Sequence, residues 1–122
     1  MEESESRMPC EIFCWGSNQY GQLGLGAGRV DVDVLVPAHL DLEGVEKVAV
    51  GGGHSFAFCS DAVYAWGNNS HAQLGLHERA PKVVSEPHPA DELRGASKIA
   101  AGFNHTLALA NGEVLSCSSV FA

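Results

Sequence analysis

Positive charge is scarce in this chain. Seven Lys and Arg stand against fifteen Asp and Glu, a formal net charge of −8 over 122 residues. With no basic stripe to neutralise phosphates, direct nucleic-acid binding is excluded as a role. Acidity of this degree keeps a surface solvated and leaves room for a basic protein partner. Long apolar runs are missing too: no eighteen consecutive residues are apolar, so no spanning helix and no membrane role are expected. Residues 1–9 (MEESESRMP) are acidic and Ser-rich. They read as a disordered tip rather than a signal peptide, which places the protein in the cytoplasm or nucleus.

Cysteine is present only as Cys10, Cys14, Cys59 and Cys117. Without a secretory signal, reduced thiols are the expectation. Cys10 and Cys14 sit four apart with no CxxC pair to follow, so zinc is not expected. Phosphate-binding loops are absent as well. GLGAG (Gly24–Gly28) lacks the GxGxxG spacing and opens no helix, and Gly51–Gly53 fails the same test. No paired carboxylates stand out and no nucleophile sits in a recognisable elbow. The reading is therefore of a protein that is no enzyme with a site of its own, with no catalytic residues and no cofactor. Nowhere does a stretch of helix length carry a 3.6-residue apolar stripe, which makes the chain all-β.

What the chain does contain is an echo. IFCWGSNQYGQLGL (Ile12–Leu25) returns 51 residues later as VYAWGNNSHAQLGL (Val63–Leu76). EKVAVGGGHSFAF (Glu46–Phe58) returns at the same offset as SKIAAGFNHTLAL (Ser97–Leu109). Two unrelated blocks sharing one step define a repeat, with units starting near 12, 63 and 114 in a repeat region of residues 10–117. A period in this range points to a solenoid or a propeller. Repeat folds need about three units to bury their faces. Two motifs and the opening of a third therefore read as a piece, or an alternative form, of something longer.

Along the chain, Glu11–Trp15 and Val63–Trp66 are strand candidates stopped by Gly16 and Gly67. Arg29–Pro37 alternates at Val30, Val32 and Val34 and predicts a strand, with Pro37–Gly44 a connection. Val45–Val50 is a further strand. Ser55–Cys59 and Val63–Trp66 form a hairpin about Ser60-Asp61, copied by Thr106–Leu109 and Val114–Cys117 about Asn111-Gly112. His77–Ala96 holds three prolines and reads mainly as loop, with one helical turn at Ala90–Arg94.

Each Trp-Gly pair predicts a buried indole followed by a turn that a Cβ would block. Trp15, Gly16, Gln22, Leu23 and Gly24, with their copies Trp66, Gly67, Gln73, Leu74 and Gly75, are expected to be scaffold. In each triplet the amide satisfies turn backbone, the leucine is an apolar plug and the glycine a flexible link. A site residue usually occurs once, whereas a scaffold residue recurs in every unit. The same reasoning removes His54-Ser55 and His105-Thr106 as catalytic pairs. Each His, four positions into the Gly51 or Gly102 motif, is expected to bond backbone inside its own unit. Ala72 stands where the first unit has Gly21, and His77 where it has Gly26, so the second turn is expected to be altered.

These residues resemble the regulator of chromosome condensation repeat family. The carriers are WGSNQYGQLGLG (Trp15–Gly26), WGNNSHAQLGL (Trp66–Leu76), VAVGGGHSFAF (Val48–Phe58) and IAAGFNHTLAL (Ile99–Leu109). The resemblance implies a seven-bladed β-propeller of four-stranded blades, each split across successive repeats. About two such blades fit in this chain, making it a partial propeller. Cys117-Ser118 departs from the pattern where Gly is expected, and residues 118–122 look foreign to it. Some members of the family are guanine-nucleotide exchange factors for Ran-type small G proteins, and others are interaction modules. The repeats and NGEVLSC (Asn111–Cys117) are most similar to the secretion-regulating exchange-factor subgroup. Three functions are consistent with this: an exchange factor for a small G protein, a non-catalytic scaffold, or a truncated form with no independent function.

Overall fold

A computed structural model describes residues 10–60, 62–77 and 79–117. The acidic tip and the foreign-looking end lie outside them. Among the described residues there are nine strands: β1 (Ile12–Gly16), β2 (Val34–Leu40), β3 (Val45–Val50), β4 (His54–Cys59), β5 (Ala62–Asn68), β6 (Val83–Pro89), β7 (Ala96–Ala101), β8 (Thr106–Ala110) and β9 (Glu113–Cys117). They form three antiparallel sheets, β1-β2, β3-β4-β5-β6 and β7-β8-β9. The chain is a propeller segment with one complete four-stranded blade between parts of two others. Each repeat supplies the end of one blade and the start of the next: β3 and β4 come from the first unit, β5 and β6 from the second.

The hairpins follow from local chemistry. Cys59 pairs with Ala62 across a two-residue turn, and Ala110 pairs with Glu113 across Asn111-Gly112. Asn111 and Gly112 both adopt positive φ, 53° and 80°, as such a turn requires. The Trp-Gly dipeptides sit at irregularities in the pairing. Cys14 and Gly16 pair with Ala38 and Val34, and Ala65 and Gly67 pair with His88 and Val84, so each Trp is skipped. The glycines take φ 111° and 108°. A bulge of this kind re-aims the side chain beside it.

The sheets converge at their first strands, where the Gly52 amide donates to the Gly102 carbonyl at 3.1 Å, and fan out toward β6. The core lies in the complete blade, around Phe56, Ala65, Trp66 and Leu74 with Leu40, Val45, Val84 and Leu93. β4 is buried on both faces because a sheet covers each side. β8, its copy, alternates buried and exposed, leaving Leu107 and Leu109 open to solvent.

Three expectations are corrected. The strand predicted over Arg29–Pro37 begins only at Val34; Ala27–Arg29 is a 3-10 turn, and the strand runs on to Leu40 through what read as a connection. The loop predicted over His77–Ala96 contains β6, followed by a 3-10 turn at Asp91–Leu93. Proline misled both readings. Pro37 and Pro87 lie on the last strand of their sheets, β2 and β6, where one row of backbone groups faces away from the ladder and a missing N–H costs nothing. The second Gln-Leu-Gly turn is not altered: Ala72 adopts φ 59° against 74° at Gly21. Both turns close the same way, with Gly21 and Ala72 each donating to the Asn18 or Asn69 carbonyl at 3.1 Å.

Candidate functional site

Each unit carries a turn between its first and second strands, β1 and β2 or β5 and β6, and this turn locks onto the next blade. Asn18 organises the first: its Oδ1 accepts from the Leu23 amide at 3.0 Å and its Nδ2 donates to the Arg29 carbonyl at 2.6 Å. Asn69 repeats this with Leu74 at 3.2 Å and Pro81 at 3.0 Å. The Gln22 and Gln73 side-chain oxygens accept from Tyr20 and His71, both at 2.8 Å. Leu23 and Leu74 are buried under the turns.

The folded turn then presents one carbonyl outward. Gln22 O accepts from the Ser55 hydroxyl and from the Trp66 indole N–H, each at 2.8 Å. Trp66 is 2% exposed and presses on Gly24, where an added Cβ would sit 2.8 Å from the indole nitrogen. Gly24 has φ 74° and Gly75 71°, so both are in the left-handed region. In the next seam Gln73 O accepts from the Thr106 hydroxyl at 2.7 Å. That hydroxyl has one proton and it is committed, so His54 Nε2, 3.0 Å away, must be the donor. His54 is therefore the neutral tautomer protonated at Nε2, with its Nδ1 buried. Burial lowers its pKa below the ordinary histidine value. Gly51 and Gly102 leave the space that the His54 and His105 rings fill.

Two expectations change here. Trp15 is 57% exposed, not buried. The cover over Trp66 is the Gln22–Gly24 turn of the preceding blade, and no such turn lies over Trp15 among the described residues. His54 bonds a side chain of the following unit, not backbone of its own, and His105 is exposed. A spacing of 51 residues fixes which residues are equivalent but not which unit each one touches.

Beside Trp15 lies an open apolar groove of about 430 Å³, lined by Ile12, Cys14, Val48, Val50 and Phe56 among others. Burial there pushes the Cys14 thiol pKa up, away from reactivity. No group of three or more His, Cys, Asp or Glu able to hold a metal occurs among the described residues. Nor does any helix there have the length and apolarity to cross a membrane. The Ser55 and Thr106 hydroxyls both donate to main-chain carbonyls, so neither His-Ser/Thr pair is arranged for nucleophilic chemistry.

A convergent seam of this kind, repeated at a 51-residue step, defines a class of propeller repeat. The model of the regulator of chromosome condensation (RCC1) repeat matches residues 11–58 and 60–109, and a second RCC1-repeat model matches 45–73. The chain belongs to this family. It is 41% identical over 106 residues to the probable E3 ubiquitin-protein ligase HERC4 of Mus musculus, a match covering 81% of this chain and 10% of that protein. It is 35% identical over 116 residues to the secretion-regulating guanine nucleotide exchange factor of Bos taurus, covering 88% of this chain and 24% of that one. In structure it resembles yeast RCC1 (Prp20) bound to Kap60, with TM-score 0.79, 25% identity and coverage of 88% and 28%. Prp20p of Saccharomyces cerevisiae, a structure described together with its binding to Gsp1p and histones, matches at TM-score 0.72 and 30% identity, over 88% and 26% of the two chains. The chain thus spans from a tenth to about a quarter of the length of these proteins.

Proposed function

We propose that this chain is a protein-interaction module of the exchange-factor type, which engages a Ran-type small G protein through blade loops and speeds release of its guanine nucleotide. The observation that carries this reading is the match to a guanine nucleotide exchange factor and to Prp20p, described as binding Gsp1p, a small G protein. The loops at 17–33, 51–53, 69–77 and 102–105 leave the strands at the same end of the sheets, the end we assign to such a partner. Exchange requires that the partner's phosphate site be distorted, not that the module hold nucleotide, which fits the lack of a phosphate cradle in the sequence. A second reading, a scaffold without exchange activity, is favoured by the similarity to a probable ubiquitin ligase.

The test is release of a fluorescent guanine nucleotide from a Ran-type protein, with binding followed in parallel by calorimetry. Accelerated release supports the exchange-factor reading. Binding without acceleration supports the scaffold. Neither binding nor acceleration rejects both, and leaves a form without independent function.

A further inference from the structure

The glycines at 51–53 separate what every unit needs from what one unit has. None of the three takes a positive φ, so conformation does not call for them and space does. A Cβ on Gly51 would meet the His54 ring at 2.6 Å, and one on Gly102 would run into His105 likewise, so this glycine recurs as scaffold. The next two positions are glycine in the first unit only; the second has Phe103 and Asn104 there. A Cβ on Gly52 would stand 2.6 Å from the Phe103 ring, and one on Gly53 would stand 2.8 Å from the Tyr20 ring. Two aromatic rings therefore press on one bare stretch of backbone, one from each neighbouring sheet.

That stretch is open and firmly held. Gly52 and Phe103 are exposed, Tyr20 is half-buried, and the Gly52 amide donates to the Gly102 carbonyl at 3.1 Å. Gly52 belongs to the complete blade and has a sheet on either side, so its exposure is that of the loop end itself. Residues 17–23, 51–53, 68–74 and 102–106 surround it in the fold and contain no Lys or Arg, so these segments supply no cation to the ring faces. Elsewhere the chain does cover a ring in this way: Lys47 Nζ lies 4.7 Å from the Phe58 centroid. The face of an aromatic ring attracts a cation, and a planar guanidinium suits it best because it also stacks. A chain of net charge −8 favours a basic partner as well.

We propose that the Gly52–Gly53 backbone between Tyr20 and Phe103 anchors an arginine side chain of the protein partner, with its guanidinium against the ring faces and its methylenes over the bare peptide. This rests on the assignment of that loop end to a partner, and it names the group recognised there. A surface built of repeats offers similar groups at each step. This pair occurs once, since one unit later Tyr20 is His71 and Gly53 is Asn104. It therefore sets which blade the partner meets, as a rigid aromatic anchor does at the centre of an interface.

Amide NMR on the intact chain tests this with the peptide acetyl-Gly-Arg-Gly-amide, and with the same peptide carrying citrulline, which keeps the shape without the charge. Salt of about 0.15 M screens the diffuse pull of the net charge. The Gly52 and Gly53 amide signals should move with the arginine peptide, with a dissociation constant on the order of 1–10 mM, and stay still with citrulline. Tyr20→Leu and Phe103→Leu keep apolar bulk and remove a ring face, and each should weaken the response at least about threefold. Shifts that are absent, lie elsewhere, match those with citrulline or ignore both substitutions overturn the proposal. Calorimetry with a Ran-type protein gives a second arm, in which Phe103→Leu should weaken binding about tenfold. Binding indifferent to that change overturns the anchor and leaves the partner assignment standing. No binding of the Ran-type protein, with the arginine response intact, overturns that assignment and supports the anchor.

Discussion

Two tryptophans that occupy equivalent positions in sequence differ in energetic weight because of what covers them. Trp66→Ala should cost about 3–5 kcal/mol, the usual range for a large aromatic removed from a packed site. Trp15→Ala in dilute protein should cost under about 1 kcal/mol, because its indole is already in water. Urea unfolding of the two variants side by side checks both figures. Ala72 is the other informative residue, holding φ 59° where its counterpart is Gly21. A left-handed Ala stores roughly 1–2 kcal/mol, while Gly gives back part of that through a more flexible unfolded chain. Ala72→Gly should therefore stabilise by about 0.5–1 kcal/mol, seen as a higher urea midpoint. No change would mean that the turn carries no strain. His54 makes stability depend on pH. Its pKa is lowered in the folded state by burial, so the proton is bound more tightly when the chain is unfolded. The stabilisation it brings is complete above the unfolded value of about 6.5 and is lost as pH falls through the folded value. His54→Gln keeps a donor for Thr106 and removes the titration. Its unfolding midpoint should fall less steeply between neutral and mildly acid pH than that of the parent.

At the scale of strands, exposure tracks pairing together with cover on both faces, and β8, paired on both sides, still leaves Leu107 and Leu109 open. β4 and β5 are paired on both sides and covered on both faces, whereas β1, β2, β3, β6, β7 and β9 each have one unpaired edge among the described residues. Amide hydrogen exchange should be slowest in β4 and β5 and fastest in β2 and β9; equal protection throughout would contradict this ordering. This is also the scale at which sequence is most and least informative. The hairpins about residues 60–61 and Asn111-Gly112 were legible because turn chemistry is local. So were the glycine positions, since positive φ leaves a compositional mark. β2 and β6 were not: a proline on a last strand looks the same in sequence as a proline in a loop, and only the sheet reveals that its missing donor faces outward. The direction of the histidine bond was hidden for a related reason. Equivalent units give equivalent residues, and whether a side chain reaches forward or stays home depends on how the sheets are stacked. Nothing in one sequence distinguishes Trp15 from Trp66, because the difference lies wholly in the neighbouring turn.

Across the described residues, stability is a chain of nearest-neighbour terms, since the main contacts between sheets run from each sheet to the next. The seams, not the sheets, hold the longest-range contacts. They depend on a few polar groups: one carbonyl per turn, a hydroxyl, an indole and an imidazole. Asn69→Ala removes two hydrogen bonds that shape the second turn, one of them donated by the buried Leu74 amide. It should cost about 2–3 kcal/mol and loosen the seam to β8 selectively. In the same exchange experiment β7 and β8 would lose protection while β2 kept its own. Uniform loss would show that the sheets unfold as one unit rather than seam by seam.

The staggering of sequence repeat against blade has a practical consequence for anyone cutting or grafting this protein. A boundary drawn where the sequence pattern restarts, near Val63, passes through the middle of a sheet and leaves raw ladder on both pieces. The cassette whose strand ladder stays whole is Val45–Pro89, beginning at β3 and ending at β6, with the seam bonds to Gln22 and Thr106 left for its neighbours to supply. Spliced at those points, a blade can be exchanged for another of its kind with only loop ends to rejoin. Spliced at the repeat boundaries, every graft begins with a broken sheet.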